Sequence, residues 1–329
     1  MSVNIGMISF AHMHAASYAT SVNANPQANL VGIADADAER GRKMAERFES
    51  RYFESDEALL DADIEAVIIC TENVAHREKA LLAAEAGKHV LCEKPISISV
   101  ADAQAMIEAC ESAGVQLMTA FPCRYGPAYV EAKQMVEAGE LGEILAIKGT
   151  NRGRNPGGWF VEPELSGGGA TIDHTVHIVD LMRDVTGDEV ASVYCEMDRF
   201  FNPELDCDDA GLITMDFSGG CIATLDCSWS RPPHYPIWGD ATMCIIGSGG
   251  NVWVDLVSEK LNLYQNDKSS YTWVGYGESM DYALIADFCR CIEAGGPVPI
   301  TGYDGLKAVE VALAAYEAAE TGAKVSLAS

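Results

Sequence analysis

The stretch that decides the fold runs from residue 3 to residue 35 and reads VNIGMISFAHMHAASYATSVNANPQANLVGIAD. It begins with an apolar run, Val3 to Ile8, that has the length of one buried strand. A helix is predicted from about His12 to Asn23, and a second strand runs from Asn29 to Ala34 and ends at Asp35. Strand, helix and strand in this order predict two parallel strands joined by a right-handed crossover.

The same alternation continues to about residue 120. Three further apolar runs predict strands at Ala66 to Cys70, His89 to Cys92 and Val115 to Ala120, and helices are predicted between them. The pattern is typical of an α/β, Rossmann-like, doubly wound parallel sheet, which we assign to a dinucleotide-binding domain of residues 1–124. A ligand of such a sheet lies at the carboxyl ends of the strands.

Residues 125–329 show a different pattern. Several strands with alternating apolar residues follow one another, separated by glycine-rich turns such as Ser218-Gly219-Gly220. Two helices, near Glu278 to Ala294 and Gly305 to Thr321, close the chain. We predict an α+β substrate-binding domain with a mostly antiparallel, open sheet. Since an open sheet commonly finds a partner, we expect a homo-oligomer, a dimer or tetramer, formed through this sheet.

Composition excludes several classes of partner. The chain has 49 acidic and 22 basic residues and a formal net charge of −27, which repels nucleic acid and anionic membranes. No apolar run is long enough to span a membrane, and the first residues do not resemble a signal peptide, so we expect a cytoplasmic protein. The 11 cysteines are scattered, which argues against a disulfide framework.

The loop after the first strand lacks the usual phosphate-binding glycines. The three glycine positions of a GxGxxG fingerprint fall on Ser9, Ala11 and His14. The N-terminus of the following helix still offers free N–H groups for a phosphate. Asp35 lies where an acidic residue accepts the ribose hydroxyls of NAD and repels the 2′-phosphate of NADP, so we expect NAD, with NADP less favoured. An N-cap role of Asp35 for the next helix remains open.

Several motifs together resemble the Gfo/Idh/MocA family, which includes glucose–fructose oxidoreductase and inositol dehydrogenase. Glu93-Lys94-Pro95 resembles the family's signature, and Thr71-Glu72-Asn73 with His76 resembles its T-P-N-x-x-H motif, with Glu72 in place of proline. The glycine run before Asp173 and His177 resembles a third motif, in which Thr175 replaces a frequent glycine. The resemblance implies an NAD(P)-dependent dehydrogenase or reductase acting on a hydroxyl or carbonyl carbon of a sugar, cyclitol or related polyol. The expected cofactor-binding residues are Ser9, Phe10, Ala11, His12, His14, Asp35, Thr71, Glu72, Asn73, His76, Glu93, Lys94 and Pro95.

The same resemblance carries over Lys94, Asp173 and His177 as the catalytic set. Oxidation of a hydroxyl requires that a hydride leave carbon and a proton leave oxygen. Lys94 follows a predicted strand, where an ammonium group can stabilise an alkoxide. His177 has a suitable pKa for accepting the proton, and Asp173, four residues earlier on the same helix face, either orients His177 or binds a substrate hydroxyl.

Other polar and aromatic residues of the second half are candidate substrate contacts or structural residues. Their side chains offer hydrogen-bond donors and acceptors for hydroxyl groups and an aromatic face for a sugar ring; they are Arg124, Arg154, Asn155, Trp159 and His174. We expect no metal site, because His12 and His14 lie in a different domain from Asp173, His174 and His177.

Two other functions fit the same motifs. A lyase or glycosidase of this fold keeps NAD bound and oxidises its substrate only transiently, so that no net NADH forms. A non-catalytic sensor or regulatory binding protein would explain the lost glycines, but it has no use for Lys94, Asp173 and His177.

Overall fold

The computed structural model describes residues 2–257, 260–265, 270–275, 277 and 279–327. The chain forms two compact units. The first comprises Met1–Pro122 and Ser279–Val309, and the second comprises Cys123–Glu278 and Glu310–Ser329. Among the described residues, no helix is both long and apolar enough to cross a membrane.

The first unit contains a six-stranded sheet. Its strands are β1 (Val3–Ile8), β2 (Ala28–Ala34), β3 (Arg51–Phe53), β4 (Ala66–Ile69), β5 (His89–Cys92) and β6 (Leu117–Thr119). They lie in the order β3-β2-β1-β4-β5-β6, and every neighbouring pair is parallel. Every residue of β4 is buried, as in a strand that is covered on both faces. The predicted doubly wound sheet is therefore confirmed.

Helices connect these strands. They are α1 (Ala15–Ala24), α2 (Ala38–Arg47), α3 (Asp56–Leu60), α4 (His76–Glu85) and α5 (Val100–Ala113). The side chain of Asp37 accepts hydrogen bonds from the N–H groups of Glu39 and Arg40 and so caps α2. The capping residue of α2 is thus Asp37 and not Asp35, which leaves the carboxylate of Asp35 available for other partners.

The strand order reverses between β1 and β4. The chain runs outward from this point in both directions, toward β3 on one side and β6 on the other. The loops after β1, β4 and β5 begin at Ser9, Cys70 and Glu93, so they leave the same carboxyl edge of the sheet. Nearly all of the residues that the sequence assigns to cofactor binding therefore lie along one edge.

The second unit is built around a seven-stranded sheet. Its elements up to residue 275 are α6 (Pro127–Glu137), β7 (Ile144–Gly153), α7 (Pro163–Ser166), α8 (Ala170–Thr186), β8 (Val190–Asp198), β9 (Ala210–Phe217), β10 (Ile222–Ser228), β11 (Gly239–Gly247), β12 (Asn251–Asp255), β13 (Lys260–Gln265) and β14 (Ser270–Gly275). The chain ends with α9 (Met280–Ala294), α10 (Gly302–Thr321) and β15 (Val325–Ser326). The sheet order is β12-β11-β7-β10-β9-β8-β15. Only β7 and β10 pair in parallel among these described strands, which confirms a mostly antiparallel sheet.

One face of this sheet is covered by α8. The helix packs against β7 and β10, where Gly149 permits the approach: a Cβ at this position would lie 2.6 Å from a methyl group of Ile178. The other face carries exposed apolar side chains, among them Leu212, Ile222 and Trp253, which are 64%, 55% and 60% exposed. This face therefore carries exposed apolar side chains among polar ones such as Thr214 and Asp216.

Residues 279–309 belong to the first unit, although the sequence assigned all of 125–329 to the second. Helix α9 packs against α1, where Ser17 Oγ donates a hydrogen bond to Asp281. The N–H group of Thr119 in β6 donates to the carbonyl of Ile300 at 3.1 Å. These contacts join residues that are far apart in sequence, which local patterns cannot predict. The predicted start of this helix, Glu278, lies outside the described residues.

Candidate active site

The loop after β1 makes its turn without glycine. Ser9 has φ +68°, in the left-handed region that glycine normally occupies. Its hydroxyl accepts a hydrogen bond from the N–H of Ala11 at 3.1 Å, which supports the strained conformation. His14 gives α1 no side-chain cap, and the first turn of α1 has no acidic residue, so the positive end of the helix dipole is not neutralised there. The loop therefore keeps the features that attract a phosphate.

Asp35, at the end of β2, holds this loop in place. Its carboxylate receives two hydrogen bonds from Arg40, from Nη2 at 2.7 Å to Oδ1 and from Nε at 2.8 Å to Oδ2. The N–H of Phe10 donates to Oδ2 at 2.8 Å. The hydrogen bond to Asp35 raises the pKa of Arg40 more than the partial burial of the guanidinium lowers it. Asp35 thus carries a bidentate ion pair at the position where the sequence predicts the ribose anchor.

The loop after β4 supports the loop after β5. Thr71 Oγ1 donates to the carbonyl of Glu72 at 3.0 Å, and Asn73 is buried in the turn that follows. The ring of His76 is fully buried, and its Nδ1 donates to the carbonyl of Pro95 at 2.9 Å. Burial lowers the pKa of His76, so the ring is neutral at pH 7. His76 consequently fixes the backbone next to Lys94.

Glu93 and Lys94 are both buried where β5 ends. The Lys94 N–H donates to Glu93 Oε2 at 2.7 Å, and Glu93 Oε1 lies 2.8 Å from His14 Nδ1. Burial alone would raise the pKa of Glu93, but His12 and His14 outweigh burial and hold that pKa well below its usual value. Glu93 is therefore ionised. Lys94, only 4% exposed, is enclosed at the same edge of the sheet.

In the second unit, the glycine run before α8 serves the protein's own packing. A Cβ at Gly169 would fall on the carbonyl oxygen of Asp208. The Asp208 carboxylate accepts hydrogen bonds from the N–H groups of Gly169 and Thr171, at 3.0 and 2.7 Å, and so caps α8. Tyr316 Oη donates to the same carboxylate at 2.6 Å. The space beside Gly169 is therefore filled by Asp208.

Asp173 and His177 lie one turn apart on α8, and each has a partner that the sequence did not suggest. Trp229 Nε1 donates to Asp173 Oδ2 at 3.3 Å. His177 Nδ1 lies 3.7 Å from the thiol sulfur of Cys123. Trp229 directly follows β10, the strand that pairs in parallel with β7. Its position at the end of a predicted strand was the feature of the sequence that could have indicated a site residue. The structure thus adds Trp229 and Cys123 to the candidate site.

His174 is part of the interior. Its ring is fully buried, and Nδ1 donates to the carbonyl of Asn151 at 2.7 Å. Nε2 lies 3.2 Å from Asp173 Oδ2, and the ring meets Trp238 edge to face at a centroid distance of 5.0 Å. His174 is therefore buried inside the second unit and does not face solvent.

The remaining predicted substrate contacts have intramolecular partners. Arg124 makes a bidentate ion pair with Asp180, at 2.7 and 2.6 Å, and also contacts Asp184 at 3.1 Å. Arg154 Nη1 donates to the carbonyl of Pro233 at 3.3 Å.

Two more of these residues lie in the loop after β7. Asn155 Oδ1 accepts from the Gly157 N–H at 2.8 Å, and Trp159 stacks on Phe160 with 3.9 Å between ring centroids. Both side chains are partly exposed, as is that of Arg124, whereas Asp180 is buried.

Comparison with known proteins places these features in one family. Residues 3–121 match the oxidoreductase family with an NAD-binding Rossmann fold, and residues 129–253 match the Gfo/Idh/MocA C-terminal domain. The uncharacterised oxidoreductase YrbE of Bacillus subtilis is 30% identical over 92% of this chain and 90% of its own length. Myo-inositol 2-dehydrogenase of Thermotoga maritima is 30% identical over 91% of each chain.

Solved structures agree with the sequence comparison. GenD2 from gentamicin A biosynthesis, in complex with NAD, has a TM-score of 0.90 and 26% identity over 100% of this chain and 97% of its own. Levoglucosan dehydrogenase, in complex with NADH and L-sorbose, has a TM-score of 0.87 and 25% identity over the full length of both chains. The chain is therefore an oxidoreductase of the Gfo/Idh/MocA family, with an NAD-binding Rossmann unit at its N-terminus.

Proposed function

We propose that the chain is an NAD-dependent dehydrogenase that transfers a hydride between nicotinamide and a hydroxyl or carbonyl carbon of a sugar, cyclitol or related polyol. The observation that carries the proposal is the similarity to myo-inositol 2-dehydrogenase over 91% of each chain. The motifs that contain Lys94, Asp173 and His177, which resemble those of the family, support it. The similarity to levoglucosan dehydrogenase supports the same class of substrate.

The residues at the edge of the first sheet fit a dinucleotide. The left-handed turn at Ser9 and the uncapped N-terminus of α1 suit a pyrophosphate. Asp35 suits a ribose, and Thr71, Asn73, His76 and Glu93 line the neighbouring loops. NAD, when bound, supplies the hydride acceptor.

We assign the proton chemistry to three side chains. His177 accepts the hydroxyl proton of the substrate, and the ammonium group of Lys94 stabilises developing alkoxide charge. Asp173 binds a neighbouring substrate hydroxyl through its carboxylate, which the N–H of Trp229 keeps in orientation. Trp229 acts through Asp173 and is a positioning residue.

The test is NADH formation with a panel of sugars and cyclitols, measured for the wild type and for Lys94→Ala and His177→Ala. Both variants should lose at least about 100-fold in kcat, the usual contribution of a positioned proton-transfer group. Lys43→Ala, which removes an exposed lysine of α2, serves as the matched control and should retain full activity. Comparable turnover in Lys94→Ala would show that the catalytic assignment is wrong.

We also propose a division of labour, with residues 1–124 binding NAD and residues 125–329, apart from the segment 279–309 that belongs to the first unit, binding substrate and forming a homo-oligomer. The exposed apolar face of the second sheet, with Leu212 and Ile222 on adjacent strands, supports a dimer or tetramer. A Leu212→Lys/Ile222→Lys variant should lower the mass measured by light scattering to that of one chain. An unchanged mass would show that this face is not the interface.

We further propose a cytoplasmic location. All 11 cysteines are free, and ten of them are buried, as is typical of a protein from a reducing compartment. Recovery of the protein in the soluble cytoplasmic fraction of its source cell would support this proposal, and recovery outside the cell would contradict it.

A further inference from the structure

Two histidines and a glutamate meet at the carboxyl edge of the first sheet. His12 and His14 lie in the loop between β1 and α1, and Glu93 follows β5. Glu93 Oε1 lies 2.8 Å from His14 Nδ1 and 3.5 Å from His12 Nδ1. All three of these atoms lie within 4.8 Å of one another. The sequence-based expectation of no metal site compared His12 and His14 only with histidines of the second unit. Glu93 was not among the residues compared.

The three donor atoms have the spacing of ligands around one ion. Bonds from Zn²⁺ to imidazole nitrogen or carboxylate oxygen are about 2.0–2.2 Å long, so two ligand atoms at a tetrahedral ion lie roughly 3.3–3.6 Å apart. The distance from His12 to Glu93 already falls in that range, and the distance from His14 to Glu93 needs to grow by about 0.5 Å. His14 lies in a loop and its side chain is 32% exposed, so its ring has room to move.

Two of the proposed ligands have hydrogen bonds to neighbouring N–H groups. The N–H of His14 donates to His12 Nδ1 at 3.2 Å, so this nitrogen is unprotonated, as a metal ligand must be. An ion bound at His12 Nδ1 would replace this hydrogen bond, because the nitrogen has a single lone pair. The Lys94 N–H binds Glu93 Oε2, which fixes the carboxylate and directs Oε1 toward the two rings. Such outer hydrogen bonds orient ligands in known metal sites.

Burial and charge favour a cation at this point. The side chain of Glu93 is fully buried, and a buried carboxylate requires a positive partner. The charged neighbours of His14 are Glu93, Lys94 and Asp281, which sum to one negative charge while the imidazoles are neutral. A divalent ion would satisfy Glu93 and use both rings.

We propose that His12 Nδ1, His14 Nδ1 and Glu93 Oε1 form a binding site for a divalent transition-metal ion of the Zn²⁺ or Co²⁺ class. Two nitrogens and one oxygen, with no thiolate, favour these ions over Mg²⁺ and Ca²⁺, which prefer oxygen ligands. The exposed side of His14 leaves the remaining coordination positions to water. The site uses residues of the first unit only and does not depend on the proposed dehydrogenase activity.

The test is a titration of chelator-treated, NAD-free protein with Co²⁺, followed by the visible absorption of the bound ion, and then displacement by Zn²⁺. The wild type should bind about one ion per chain with a nitrogen–oxygen spectrum. His14→Ala should weaken binding by at least about tenfold, and His12→Ala/His14→Ala should abolish the spectrum. His234→Ala, which removes an exposed histidine of the second unit, should bind as the wild type does.

The Tm of thermal unfolding provides a second measurement of metal binding if one of the variants is unstable. Zn²⁺ should raise the Tm of the wild type increasingly as its free concentration exceeds Kd, and it should leave the Tm of Glu93→Gln unchanged. His14→Gln, which retains a polar side chain, provides a second variant for the spectrum. Failure of the wild type to bind Co²⁺ would show that His14 and Glu93 form only an ion pair. A sulfur-type spectrum, or equal binding by the double variant, would place the ion on cysteines and overturn the proposal.

Discussion

The Arg124→Met variant tests whether Arg124 has a structural role or binds substrate. The guanidinium makes two hydrogen bonds, of 2.7 and 2.6 Å, with Asp180, whose side chain is fully buried. Removing Arg124 would leave this carboxylate buried without its bidentate partner. Breaking a buried pair from one side typically costs about 3–5 kcal/mol. For a chain of this size, with an entropy of unfolding of about 0.7 kcal/mol/K, such a loss lowers Tm by roughly 4–7 °C.

The control for Arg124→Met lies in the same network. Lys133 Nζ contacts Asp184 at 2.7 Å, but Lys133 is 31% exposed, and Asp184 also accepts from Arg124 and from Tyr129. Lys133→Met should therefore cost less than about 1 kcal/mol. The free energy of unfolding is measured in urea for both variants, and KM is measured for the best substrate of the panel. An Arg124→Met variant of wild-type stability whose KM is raised more than tenfold would refute the structural role and restore Arg124 as a substrate contact.

Four further predictions follow from the contacts described. Asp35→Ser leaves Arg40 free to bind a 2′-phosphate. Calorimetry should therefore show that the ratio of NADP to NAD affinity rises by roughly 10–100-fold, because one charged hydrogen bond is worth about 1.5–3 kcal/mol. An unchanged ratio would show that Asp35 does not select the cofactor. Trp229→Phe removes the N–H that donates to Asp173, so kcat/KM should fall by about tenfold or more. The acid limb of the profile of kcat/KM against pH should move to higher pH. A purely structural role of Trp229 would leave this profile unchanged. Gly169→Ala places a methyl group on Asp208 and should lower the free energy of unfolding by about 1–3 kcal/mol, whereas Gly187→Ala, where nothing lies within 4 Å of the added methyl, should cost only the backbone strain of φ +66°. Burial opposes the charge of Asp240, but Arg231, Thr150 and Arg152 lower the pKa of its carboxyl group. The stabilising effect of the Asp240 carboxylate should therefore be complete above pH about 4 and disappear as the pH falls through the lowered pKa. Equal losses of stability in Asp240→Asn at pH 7 and at low pH would contradict this.

The first sheet was predictable because its strands are local apolar runs separated by helices. The strands β1, β2 and β4 are buried on both faces and therefore appear in the sequence as short hydrophobic stretches. By contrast, β3 (Arg51–Phe53) is a three-residue edge strand that begins with arginine, and its pattern does not differ from that of a loop. The position of α9 against α1 depends on tertiary packing, which local sequence patterns do not predict.

The candidate site was predictable in its residue types and less so in its contacts. The position of Asp35 after a strand predicts its role, and the family resemblance, together with positions after a strand and on one helix face, implies those of Lys94, Asp173 and His177. Their partners come from distant parts of the chain: Trp229 reaches Asp173 across 56 residues. The meeting of Glu93 with His14 joins residues 79 positions apart, and it required the observed order of β1, β4 and β5.

The measurement that tests the central claim most directly is the stoichiometry of the reaction, NADH formed per molecule of sugar or cyclitol consumed. The proposed dehydrogenase predicts one NADH for each substrate molecule oxidised, with NAD as the better cofactor. Consumption of substrate without net NADH would show that oxidation is transient, as in a lyase or glycosidase. Tight binding of NAD with no consumption of any substrate in the panel would contradict the claim and favour a sensor.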